Sequence, residues 1–295
     1  MTKRSGWQAV VRDLAGALLP LRARELEREL EGRLRKAPIR ANDFGYDPYG
    51  LSAEVLRRAL FPAALLYRYY FRVATHDIQH VPEGRVLLVA NHAGQLPFDA
   101  VMLMVAMLLE AAPPRVCRAM GEYWIPRLPW FGSFAARLGM LVGTRENCSA
   151  LLEAEECVMI FPEGVRGMNK PFSERYHLQR FGLGFLRLAL ETQTPIVPVA
   201  IVGSEEQQPG LMNLPGLARW LGMPAFPITV GFPWLGPLGL LPLPVKYQLY
   251  FGEPLRFEGV PTEEDSMIQE KVDVVRRVLH ELLERGRCSR RGVFR

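Results

Sequence analysis

Val86-Leu87-Leu88-Val89-Ala90-Asn91-His92-Ala93-Gly94-Gln95-Leu96-Pro97-Phe98-Asp99 is the stretch on which the reading of this chain turns. Its first five residues are all apolar, as in a strand with no solvent-facing side, and such strands belong to sheets covered on both faces. The strand runs into a glycine-containing loop. Pro97 suits the first position of a helix, which puts Asp99 in that helix's first turn. A histidine at the carboxyl end of such a strand stands where open α/β sheets place their ligands.

Outward from this stretch, strands and helices alternate. Residues 140–142, 158–161 and 196–202 read as further apolar strands, and 97–109, 181–191 and 262–285 as helices. The alternation predicts an α/β fold with a largely parallel central sheet flanked by helices. Before it lie two helical stretches. Residues 7–36 carry Leu14, Leu18, Leu21, Leu26, Leu30 and Leu34 at three- to five-residue spacing, with Pro20 a point of interruption. Residues 53–71 open with Ser52 as N-cap and Glu54 in the first turn. The apolar run 60–67 is too short to span a bilayer, which takes about 20 residues. Lying in a membrane interface and packing on the domain are both open to it.

Apolar residues make up 49% of the 295 and charged residues 23%, with a mean hydropathy of +0.02, which is globular composition. Much of the net charge of +5 lies at the ends: Arg22, Arg24, Arg28, Arg33, Arg35 and Lys36 near one, mixed with Glu25, Glu27, Glu29 and Glu31, and Arg285, Arg287, Arg290, Arg291 and Arg295 at the other, with no acid among them. An anionic membrane surface is one partner for such ends, and plain solvation is the alternative. No motif of a nucleic-acid reader accompanies the charge, so no nucleic acid is expected as a partner. The four cysteines lack metal-ligand spacing and read as free thiols. No secretory signal is read at the N-terminus.

Residues 220–245 hold no charge. Their prolines forbid a continuous helix, and irregular backbone cannot face lipid tails with its amides unpaired. The segment is therefore a packed loop or a shallow membrane-docking lip; its uniform apolarity favours the lip.

Three places can carry chemistry. If the 91–98 loop folds back, Asp99 meets His92, fixes its tautomer and leaves the other ring nitrogen to take a proton from a hydroxyl. The turn Phe161-Pro162-Glu163-Gly164-Val165-Arg166-Gly167 follows a strand, with glycines that let backbone approach a ligand and two charged side chains. Between them, Gly139-Met140-Leu141-Val142-Gly143-Thr144-Arg145 delivers an arginine able to grip a phosphate. Read singly, each has a plain structural alternative: a loop histidine, a turn with a surface ion pair, a helix cap or salt bridge.

Taken in order, and with Pro195-Ile196-Val197-Pro198-Val199 as a fourth block after Arg180-Phe181-Gly182-Leu183-Gly184, these motifs resemble the phospholipid/glycerol acyltransferases, lysophosphatidic acid acyltransferases among them. The resemblance covers residues 80–254. It implies His92 as general base and Asp99 as the residue that orients it. It implies Arg145, Glu163 and Gly164 at the acceptor's phosphate, with Arg166 as an addition. Two departures stand out. Six residues separate His92 from Asp99 where four are usual, and Val165 and Gly167 replace hydroxyl-bearing residues.

The implied protein is an enzyme of lipid metabolism with an N-terminal helical, membrane-associated segment (1–75), an acyltransferase domain (76–260) and a C-terminal helix with basic tail (261–295). It would sit at the cytoplasmic face of a membrane. The expected substrates are acyl-CoA or acyl carrier protein as donor and a glycerolipid acceptor such as lysophosphatidic acid, with no resident cofactor or metal. A neutral acceptor such as diacylglycerol is the variant reading, and a non-catalytic lipid-binding protein on the same fold is the rival. A serine hydrolase is disfavoured, since no Gly-x-Ser-x-Gly elbow occurs.

Overall fold

The apolar run 86–90 can bury both of its faces only between two layers of helices, and there it lies, each of its five residues fully buried. The computed structural model describes residues 5–220 and 226–294. Its strands in chain order are β1 (Ala74–His76), β2 (Val86–Ala90), β3 (Cys117–Gly121), β4 (Leu141–Val142) and β5 (Cys157–Ile160). They continue as β6 (Ile196–Val202), β7 (Gly210–Asn213), β8 (Pro227–Thr229) and β9 (Gln248–Phe251). Seven form one sheet in the order β1-β9-β6-β2-β5-β3-β4; β7 and β8 form a separate antiparallel pair. From β6 to β4 all neighbours are parallel, while β9 is antiparallel to β6 and parallel to β1. The largely parallel sheet is thus as expected.

Side-chain alternation divides the core in two. Val86, Leu88 and Ala90 face one layer, made by the helices Ser5–Lys36, Ala53–Leu65 and Phe98–Leu109. Leu87 and Val89 face the other, made by Arg145–Glu153, Gly184–Thr192 and Asp265–Ser289. The last helix buries Ile268, Val272, Val275, Leu279 and Leu283, a three- to four-residue period along one stripe.

The described end of the first helix is spent on this core. Leu26 and Leu30 are buried, and Arg33 donates to the carbonyls of Leu108 and Ala111, capping the C-terminus of the helix Phe98–Leu109. The helix passes Pro20 without a break; its stripe at Leu14 and Leu18 lies outside the residues whose side chains are described. The second helix is capped by Ser52, whose hydroxyl accepts from Val55 N at 3.4 Å, and it ends earlier than expected, at Leu65, passing into one π-turn at Leu66–Tyr70. Leu60, Ala64 and Tyr67 are buried, so this helix packs on the domain. No helix among the described residues is long and apolar enough to cross a membrane.

Three strands of the main sheet escape a reading by hydrophobic runs. β1 is three residues long, β9 begins with Gln248, and β3 carries Arg118. Arg118 is tolerated inside because the turn-rich stretch 41–51 folds Asp47 onto it, with Glu156 at 3.4 Å. Breaking one partner of such a buried pair typically costs about 3–5 kcal/mol.

Candidate active site

His92 and Asp99 meet. The ring Nδ1 lies 2.7 Å from Asp99 Oδ2, and the same oxygen accepts from Ala93 N at 2.9 Å. Oδ1 accepts from Ala100 N at 2.8 Å, so the carboxylate also caps the start of its own helix. Pro97 is the residue just before the first helical turn, not the first residue in it. Six intervening residues are accommodated because Gly94 takes a left-handed conformation, φ +87°, with its α-carbon against the Gln207 side chain, where a Cβ would be 2.2 Å from Nε2. Asp99 is fully buried and His92 nearly so, with 11% of its side chain exposed.

The loop is held from both neighbouring strands. On the β6 side, Asn91 acts as an extra strand residue: its amide donates to Ile201 O at 3.0 Å and its carbonyl accepts from Ile201 N at 2.7 Å. Gln208 Oε1 accepts from the backbone N–H groups of Gln95 and Leu96, at 2.9 and 3.1 Å. On the β5 side, Phe161 stacks on the imidazole, centroids 4.2 Å apart.

Glu163 is buried, and its carboxylate points into the protein. Oε1 accepts from His92 N at 3.1 Å and Oε2 from Gln179 N at 2.7 Å, with Lys170 Nζ at 4.0 Å. The side chain expected to face an acceptor phosphate is thus spent on bracing the histidine. Behind it lies a second buried pair, Lys170–Glu205 at 2.7 Å. Burial raises the Glu205 carboxyl to about 7, against the pull of Lys170. Gly164 adopts φ +55° and opens the short helix Val165–Met168. Gly167 packs so closely that a Cβ would sit 2.7 Å from the His92 carbonyl oxygen, which accounts for glycine where a hydroxyl-bearing residue was expected. Arg166 is exposed and donates to Arg180 O at 3.2 Å.

Arg145 is not brought to the histidine. It follows β4, three strand spacings from β2, or about 14 Å along the sheet. Its exposed guanidinium pairs with Glu191 at 2.8 Å, which holds the arginine's own pKa above its usual value and the carboxyl's below. The residue lines a cleft of about 310 Å³ with Met120, Ile160, Pro162, Phe185 and Leu188, which reaches the turn but not the ring. The apolar helix Phe98–Leu109 is packed into the core.

Sequence reasoning missed Asn91, Phe161, Gln179, Lys170 and Gln208 as supports of the site. Asn91 and Phe161 stood inside quoted motifs, and Lys170 follows the glutamate turn by three residues. Gln179 and Gln208 lie farther along the chain and carried no signal of their own.

A model of the family described as Acyltransferase matches residues 72–202, from just before β1 to the end of β6. An uncharacterised protein of Mycobacterium tuberculosis is 39% identical over 258 residues, covering 86% of this chain and 71% of the relative. A human protein described as a DGAT1/2-independent enzyme synthesizing storage lipids is 26% identical over 198 residues, 64% of this chain and 56% of its own. The crystal structure of a 1-acyl-sn-glycerophosphate acyltransferase from Thermotoga maritima superposes with a TM-score of 0.49 and 18% identity, over 89% of this chain and 97% of that one. The matched stretch contains the histidine loop and the glutamate turn, and so large a share of both chains aligns with the mycobacterial relative that one conclusion follows: this chain belongs to the acyltransferase family.

Proposed function

We propose that the protein transfers a fatty acyl group from a thioester, acyl-CoA or acyl carrier protein, to a free hydroxyl of a glycerolipid at a membrane surface. The observation that carries this reading is the His92 Nδ1–Asp99 Oδ2 contact of 2.7 Å at the carboxyl end of β2, formed despite the longer loop. With Nδ1 held by Asp99, Nε2 is the nitrogen left for substrate. It takes the acceptor's hydroxyl proton as that oxygen attacks the thioester carbonyl. The tetrahedral intermediate collapses with cleavage of the carbon–sulfur bond, and the departing thiolate recovers the proton from the imidazolium. Asp99 keeps the tautomer and stabilises the transient charge. Ala93 N–H is bonded to Asp99 and is therefore not a donor to the oxyanion.

The acceptor is a glycerolipid such as lysophosphatidic acid if Arg145 and Arg166 serve its phosphate. A neutral acceptor such as diacylglycerol is the second reading. It is favoured by one observation: Glu163 is turned inward and Arg145 is paired with Glu191, so neither stands at the histidine. The storage-lipid description of the human relative points the same way.

The test is thiol release from palmitoyl-CoA and palmitoyl-acyl carrier protein with lysophosphatidic acid, glycerol 3-phosphate, lysophosphatidylcholine or diacylglycerol, alongside His92→Ala. Acceptor-dependent release that disappears in the variant is expected. No release with any pair would overturn the reading in favour of a lipid-binding protein, and release that survives the substitution would remove His92 as the base.

A further inference from the structure

The strands β6, β2, β5 and β3 are parallel neighbours, so the loops at their carboxyl ends leave one edge of the sheet, with the histidine loop between the others. On each side of it the chain carries large apolar side chains into solvent. After β3 comes the segment 123–137, with Trp130 90% exposed and Tyr123, Leu128, Phe131 and Phe134 exposed around it. After β8 comes 230–241, with Trp234 73% exposed beside Leu235, Leu238 and Leu241. Leu96, in the histidine loop itself, is also exposed.

Both segments are tied to the site. Glu122, at the root of the first, lies against Gly164, where a Cβ would be 3.3 Å from Oε1; Gly167 of the same turn lies against the His92 carbonyl. The second is tethered through Gln208, whose amide donates to Leu240 O while its carbonyl holds Gln95 N and Leu96 N. Leu243 N donates to Gln207 O at 2.7 Å. Any surface that covers the two segments therefore covers the mouth of the site.

Charge says what that surface is. No acidic residue occurs from Tyr123 to Thr144, where the only charges are Arg127 and Arg137, both exposed; residues 220–245 carry none. Tryptophan tips, leucines and a pair of arginines without acids match the interfacial zone of an anionic bilayer. The first helix, by contrast, has already spent Leu26 and Leu30 on the core.

We infer that the segments 123–137 and 230–241 are two lips that dock on an anionic phospholipid membrane on either side of the histidine loop, so that an acceptor reaches His92 without leaving the bilayer. The role given to the acceptor rests on the proposed function; the docking itself does not.

Flotation with vesicles of phosphatidylcholine alone, and of equal parts phosphatidylcholine and phosphatidylglycerol, tests it without any chemistry. Trp130→Ser/Phe134→Ser and Trp234→Ser/Leu238→Ser should each lower partitioning about tenfold or more, since each withdraws two large apolar groups. Arg127→Gln/Arg137→Gln should lower it about fivefold per arginine on the anionic vesicles only. Met267→Ser, an exposed change on the C-terminal helix, should leave it unchanged. Thermal melting by circular dichroism confirms that each variant is folded. Undiminished flotation of both lip pairs would overturn the inference. So would lip variants that abolish self-association in sedimentation equilibrium by a protein that never floats, since the lips would then bind a second copy. Acyl transfer by the unsubstituted protein to a dissolved short-chain acceptor is measured separately. If transfer fails while flotation follows the lips, docking stands and the enzymatic reading falls; if transfer succeeds while flotation ignores the lips, the reverse holds.

Discussion

The centre and the edge of the sheet treat their motif residues differently. His92 follows β2, which has a strand on each side, and it is held by contacts from both: Asn91 to Ile201, Glu163 to His92 N, and Phe161 stacked on the ring. Arg145 follows β4, a two-residue edge strand, and among the described residues its exposed side chain has only Glu191 to hold it. A central position is fixed by its neighbours, whereas a surface ion pair is worth about 0–1 kcal/mol and fixes little. The histidine loop is thus preorganised, and the arginine is free to be drawn elsewhere by a ligand.

The largest effect should come from the centre. His92→Ala is expected to cut acyl transfer about 10²–10⁴-fold with little change in urea midpoint, because the proposed step loses its base while the fold keeps its core. A comparable loss is expected for Asp99→Asn from a misassigned tautomer, with some destabilisation, since its two oxygens hold Ala93 N and Ala100 N. If both variants transfer at the unsubstituted rate, the central loop is merely structural and the contrast collapses.

Next comes Glu163→Ala, which leaves His92 N and Gln179 N without their buried acceptor. A loss of about 1–3 kcal/mol per orphaned group is expected in urea unfolding, together with reduced activity toward every acceptor alike. An effect confined to phosphate-bearing acceptors would instead place this carboxylate at the substrate.

Glu205 gives a pH signature. Its carboxyl titrates near 7 in the folded protein and near 4.5 when unfolded. The folded state therefore holds the proton more tightly, and stability from this group is full below about 4.5 and lost as pH rises to about 7. Denaturant midpoints measured at pH 4.5 and 7.5 should fall over this interval relative to Glu205→Gln, in which the slope disappears. Equal slopes would show that Lys170 already holds the group ionised.

The smallest structural effect is expected at the edge. Arg145→Gln should leave the urea midpoint almost unchanged, while its activity separates the acceptors: unchanged with diacylglycerol, reduced with lysophosphatidic acid. A stability loss as large as that of Glu163→Ala would erase the distinction between edge and centre.

How much of this was legible in the chain follows the same division. The run 86–90 and the strand 196–202 announced themselves because strands buried on both faces are apolar throughout. β3 did not, since Arg118 interrupts it and its partner Asp47 is 71 residues away. β1 and β9 are too short or too polar to read, and their pairing, one antiparallel to β6, is a long-range event. At the site, the residues proposed to do chemistry carried a motif, whereas those that support them did not stand out until the strands were ordered. Lys170 and Gln208 are brought in by neighbouring strands and loops, through pairings that no local period encodes.

The sequence by itself determined the class of fold, through apolar runs and periods that have a local physical cause. Its four motifs in order carried the resemblance to the family, and with it the expectation that His92 and Asp99 are partners. Only the tertiary structure decided that Glu163 braces the histidine, that Arg145 stands apart, and that Trp130 and Trp234 are left exposed on loops tied to the histidine turn. Those facts depend on which strands are neighbours, and strand order is set by the burial of two helical layers on one sheet, a balance struck over the whole chain.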